Sequence, residues 1–143
     1  MHEVFEALEQ ELTRRVSAAA RDARSASEAL QQCLSAFFDA CLEDDIRAIV
    51  FEQAPRVLGW KEWREIDARY GLGLVHDLLS GLRRERETVK CDDNIVASLF
   101  LSAAVEAGMQ IAAKRSDKRL RRECEKVLTA FVDGLSRSSS KLK

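Results

Sequence analysis

Hydrophobic residues recur at helical spacing along nearly the whole chain, with polar residues on the opposite faces. Val4, Phe5, Leu8, Leu12, Val16 and Ala19 form the first stripe. No Ser, Thr, Asp or Asn stands ahead of it as a cap, so the pattern is already running at Met1, as expected where further sequence lies upstream. The second helix opens on a capping box, "SASE" from Ser25 to Glu28. It carries a wide apolar face through Leu30, Cys33, Leu34, Phe37, Phe38, Cys41 and Leu42. Glu43 to Asp45 place acids at the positive end of a third helix, whose apolar positions are Ile46, Ile49, Val50 and Phe51. Pro55 lacks the N–H that a helix interior needs, which predicts that this helix ends or kinks there.

Trp63, Ile66, Tyr70, Leu74, Leu78 and Leu82 mark a long fourth helix, with Arg83, Arg84 and Arg86 near its negative end. Gly71 and Gly73 weaken it by about 1 kcal/mol each relative to Ala, so a close neighbour or a bend is expected there. "CDDN", Cys91 to Asn94, caps a fifth helix of different character. Asn94, Ser98, Ser102, Glu106, Gln110 and Lys114 recur every fourth residue, and almost everything between them is apolar. Steps of four advance about 40° beyond a full turn, so the polar line spirals and leaves most of the cylinder hydrophobic. Such a helix requires neighbours on two sides. Ser116 and Asp117 introduce a sixth helix with Leu120, Cys124, Val127, Leu128, Phe131, Val132 and Leu135 on one face, ending at Gly134. The expected fold is all-α, a single domain over residues 1–135 of six or seven packed helices, followed by a disordered tail at 136–143.

The 143 residues suffice for one core, and 23 Lys and Arg against 24 Asp and Glu leave a net charge of -1. The molecule as a whole has no electrostatic reason to seek nucleic acid or an acidic membrane. Cys33, Cys41, Cys91 and Cys124 match neither a zinc pair nor a compact disulfide framework, and read as reduced thiols of a cytoplasmic protein. The acids in "MHEVFEALEQELTRR" exclude a signal peptide. Glu106 and Gln110 weigh against a membrane span over 95–113, which also lacks a flanking aromatic belt. His2 and His76 are too far apart in sequence to suggest a metal site, and no metal or cofactor is expected.

Catalysis would need Cys41 or Cys91 as nucleophile with His76 as base, and no phosphate loop, serine elbow or metal motif accompanies them. The run Glu62, Arg64, Glu65, Asp67 and Arg69 reads as a solvated helix face with pairs at three- and four-residue spacing. Lys114, Arg115, Lys118, Arg119, Arg121 and Arg122 form a local basic cluster without the aromatics that stack on bases.

The chain's rare residues gather in "APRVLGWKEWREIDARYGLGL", from Ala54 to Leu74. Pro55, Gly59 and Trp60 read as a structural corner between helices, with Trp63 and Tyr70 continuing its rigid filling. This stretch closely resembles the C-terminal regulatory domain of TetR/AcrR-family transcriptional regulators. "HEVFEALEQEL" is similar to the helix that enters that domain, and "LSAFFDACLEDDIRAIVFEQAP" to the helices that follow. The resemblance implies a non-enzymatic, cytoplasmic homodimer that binds a small apolar effector. It would contact DNA only through an N-terminal helix-turn-helix that this chain does not contain.

On that reading the last two helices form a four-helix interface with a second copy, through Val96, Phe100, Ala103, Ala107, Ile111, Cys124, Val127, Leu128, Phe131 and Leu135. Candidate pocket residues are Phe5, Phe37, Phe38, Cys41, Phe51, Trp63, Tyr70 and Phe100, with Tyr70, His76 and Cys41 as the polar contacts. Aromatic stripes at this spacing also serve as plain core. An alternative with the same fold is a stand-alone dimerisation module that antagonises full-length regulators without a ligand.

Overall fold

The computed structural model describes residues 1–136. The chain folds into α1 (His2–Ala19), α2 (Ala26–Cys41), a π-helical segment (Ile46–Gln53) that runs directly into α3 (Ala54–Leu58), α4 (Trp60–Glu85), α5 (Asp93–Ala113) and α6 (Lys118–Asp133). The fold is all-α. Among the described residues the one non-helical pairing is an isolated antiparallel bridge between Thr88 and Ser136, where Ser136 Oγ also accepts from the Arg86 guanidinium at 2.9 Å. Apart from Ser136, the tail expected at 136–143 lies outside the described residues.

The helix starts follow the sequence signals. Ser25 Oγ accepts from the Glu28 N–H at 3.1 Å, an Asp92 carboxylate oxygen from the Asn94 N–H at 2.8 Å, and an Asp117 oxygen from the Leu120 N–H at 2.9 Å. No side chain caps α1.

The third helix meets the expected break at Pro55 as a change of register: the π-helical segment stops at Gln53 and α3 continues from Ala54. The Ala54 N–H reaches back five residues to the Ile49 carbonyl, and Pro55 sits in the first turn of α3, where its missing N–H is tolerated. The Val50 carbonyl would next accept from residue 55, which has no N–H to give. Trp63 supplies the donor instead, its indole Nε1–H meeting Val50 O at 2.7 Å. Gly59 then turns the chain at φ +84°, a conformation that a side chain would strain, and α4 begins at Trp60. The concentration of rare residues in this stretch therefore has a backbone cause: Pro55 orphans a buried carbonyl, Trp63 satisfies it and Gly59 makes the turn that brings Trp63 over it.

α5 is the central helix, packed against α2, α4, α6 and the π-helical segment. Its length and apolarity would allow it to cross a membrane, yet 56% of its most apolar window is buried within the fold. The polar line from Asn94 to Lys114 is exposed along its whole length. On α1 the inward line is Phe5, Glu9, Leu12 and Val16, while Val4 and Ala19 of the expected stripe face solvent. α6 buries only Leu128 fully.

Candidate functional site

α1 and α4 run side by side in the same direction, so that residues four apart on one meet residues four apart on the other. At the first level the Phe5 and Trp63 rings stack, 5.8 Å between centroids and 11° between planes, and Trp60 covers the other face of Trp63 at 5.1 Å. Phe51 closes the side. One turn further along both helices, the facing residues are Glu9 and Asp67, 3% and 7% exposed. Beyond them the helices enclose a cavity of about 80 Å³. Its wall is apolar apart from the two carboxyls, Thr13 and the Cys33 thiol: Leu12 and Val16 of α1, Leu30, Leu34 and Phe37 of α2, Leu74, Val75 and Leu78 of α4, and Phe100, Leu101, Ala104 and Val105 of α5. Gly71 belongs to this wall for a steric reason, since a Cβ there would lie 2.8 Å from Leu101 Cδ1.

The carboxyls share their burial unequally. Asp67 Oδ2 accepts from Arg64 Nη1 at 2.6 Å, and the other guanidinium nitrogen donates to Ser102 Oγ at 2.7 Å. Glu9 has no cation of its own. Burial, then the charge of Asp67 beside it, push the Glu9 carboxyl well above the usual carboxylate range. Burial also raises Asp67, to about 6, against the opposing pull of Arg64. These shifts favour holding a proton on Glu9, whose carboxyl is in hydrogen-bond contact with Asp67, itself paired with Arg64. Burial likewise pushes the Cys33 thiol up to about 11 and Cys41 higher still, so neither buried thiol is an activated nucleophile.

Of the expected pocket residues, Phe37 and Phe100 line this cavity. Phe5, Phe38, Cys41 and Trp63 lie fully buried in close-packed core, and Phe51 packs on Trp63. Tyr70 is half-buried at the rim of the α1–α4 seam, its hydroxyl donating to Glu6 Oε1 at 2.7 Å. That bond, with Arg69 beside it, holds Glu6 below its usual range. His76 is half-buried and does not reach the cavity. Glu9 and Asp67 were missed, and Asp67 with Arg64 is withdrawn from the expected solvated face: Asp67 stands four residues after Trp63, on the inward line of α4. The signal was present in α1, where Glu9 interrupts Phe5, Leu12 and Val16 on one face.

A profile of the tetracyclin repressor-like C-terminal domain matches residues 27–135, most of the chain. The chain belongs to this family. Among curated proteins none matches it. Domains of the TetR family are generally non-enzymatic regulatory units that dimerise and bind small molecules, in proteins that are generally soluble and cytoplasmic.

In this TetR-type domain Val96, Phe100, Ala107, Ile111 and Leu128 belong to the core of the single chain. Ala103, Cys124, Phe131 and Leu135 are half-buried, and Val127 is exposed at 66%. On α5 the exposed large apolar side chains are Ile95 and Leu99, at 59% and 58%. In the basic cluster, Arg115 pairs with Asp44 at 2.8 Å and Arg121 with Asp39 at 2.8 Å, two cations drawn into the fold's own ion pairs.

Proposed function

We propose that this domain is the sensor and dimerisation unit of a TetR-type regulator, and that the cavity between α1, α2, α4 and α5 takes a small, largely apolar effector. The observation that carries this reading is the position of α1: it supplies the cavity wall with Glu9, Leu12, Thr13 and Val16, and it is the element through which a preceding DNA-binding unit would connect. A ligand that widens the cavity by pressing on the α1 wall would shift α1 relative to α4 and so favour a different arrangement of whatever α1 connects to. The cavity's volume is about half that of an engineered cavity known to hold benzene, so a larger effector has to open it by displacing side chains such as Leu101 and Leu78.

Two copies would pair through the outer faces of α5 and α6, where Ile95, Leu99 and Val127 stand exposed with Ala103 beside them. Pairing of this kind would convert a shift of α1 into a change in the separation of two DNA-binding units. Native mass spectrometry of the purified domain tests both parts, followed by denaturation to release bound molecules. A dimer that carries or takes up an apolar compound supports the reading, and a dimer that takes up none across an apolar-compound screen favours the ligand-free interaction module instead. A monomer that binds none of them overturns both.

A further inference from the structure

We infer that the cavity's ligand carries a positively charged amine head, which docks on the Glu9 carboxyl while its short apolar body fills the space between Leu12, Val75, Phe100 and Leu101. The inference rests on the cavity being the ligand site and adds the chemical class that the site selects. Glu9 is 3% exposed and faces the cavity, and its hydrogen-bond partner is the second carboxyl, Asp67, with no cation of its own. An apolar ligand alone gives no use for such a group, since a buried carboxyl paired only with another carboxyl costs stability at every pH above its normal titration range. An ammonium group supplies the cationic partner.

The charge balance favours the same class. The groups facing Glu9 are Asp67 and Arg64 of α4 and the Cys41 thiol of α2, while α5 contributes only apolar side chains to the cavity. With Glu9 protonated the site is neutral, Arg64 cancelling Asp67. When an ammonium enters, Glu9 releases its proton to solvent and the new carboxylate pairs with the cation. The site is neutral again, and one proton has left for each amine bound. A divalent metal is a poorer match, because calcium takes six to eight oxygen ligands and only two carboxyls converge here.

The test compares n-butylammonium with 1-butanol, which share shape and size, by NMR titration of the labelled domain between pH 6 and pH 8. Butylammonium stays protonated throughout, as a lysine side chain does. Its affinity is expected to rise with pH by up to tenfold per unit, while that of butanol does not rise. Glu9→Gln is expected to abolish the pH dependence and the preference for the cation while leaving butanol binding in place. Should the variant not fold, the pH dependence of the wild-type domain decides alone. Binding of both probes with equal affinity at every pH, or of butanol only, overturns the amine head and leaves the cavity as the ligand site. Shifts confined to residues outside the cavity for both probes overturn the cavity reading itself.

Discussion

The two levels of the α1–α4 seam use the same pair of helices and the same spacing, and they are built for opposite ends. At the Trp63 level three rings are layered face to face, a fourth packs against the side, and the one buried indole N–H meets the one carbonyl that Pro55 leaves orphaned. At the Glu9 level the rings give way to carboxyls, Gly71 removes a side chain and a void follows. The first level satisfies every requirement of a protein interior, close packing and paired polar groups. The second, within one helical turn, leaves space unfilled and pairs its buried Glu9 only with another carboxyl. A chain that can pack the first level so completely has no local difficulty in filling the second, and on the proposed function the hollow is where stability is given up for binding.

The comparison breaks most severely at Trp63. Trp63→Ala empties the centre of the stack and orphans the Val50 carbonyl, and the expected loss is about 3–5 kcal/mol, measured by urea unfolding. A loss below about 1 kcal/mol would show that this level is no tighter than the one beside it.

The carboxyl level is sharpened by pH. Both carboxyls titrate higher in the folded chain than in the unfolded one, so the folded state binds more protons. The contribution of this pair to stability is therefore full in acid and falls as pH rises from about 4 through the folded-state values. Glu9→Gln keeps a donor toward Asp67 and cannot ionise. It is expected to gain on the wild type as pH rises above the usual carboxylate range, because the wild type alone must then either hold a proton or bury a charge. Thermal unfolding from pH 5 to 8 reads this directly, and a gap that stays constant with pH would remove the proton from the account.

Trp60 supplies a smaller contrast. At 55% exposure it contributes chiefly its stacking on Trp63, so Trp60→Ala should cost about 1 kcal/mol in the same urea experiment. A cost as large as that of Trp63→Ala would mean that the outer ring holds the corner. The smallest effect on stability belongs to Gly71→Ala. The gain in helix propensity, about 1 kcal/mol, is offset by pushing the flexible end of Leu101 aside, and the net change should lie within about 1 kcal/mol of zero. Ligand affinity should fall instead, because the added methyl and the displaced end of Leu101 both stand at the cavity wall. Unchanged butanol binding in the NMR titration would place the ligand elsewhere.

Much of the molecule was legible before any coordinates. Periodicity is a local property, and it located all the long helices, the caps at Ser25, Asp92 and Asp117 and the exposed polar spiral of α5; of the two glycines expected to mark a close neighbour or a bend, Gly71 meets Leu101 and Gly73 has nothing within 4 Å. The motif from Ala54 to Leu74 carried the family. What periodicity could not show is which of several inward-facing residues meet across a seam. Phe5 and Phe37 are equally apolar and equally well spaced, yet one completes a stack and the other borders a void. That difference depends on which helices lie alongside each other and at what level. The same holds for charge: Asp67 has the neighbours of a solvated residue in sequence, and only the approach of α1 buries it opposite Glu9 and raises its affinity for a proton. The sequence alone determined the helices and the family, because both rest on residues close together in the chain. The tertiary structure decided the cavity, the carboxyl pair and the register change that lets Trp63 take over from Pro55, because each depends on groups brought together from separate helices.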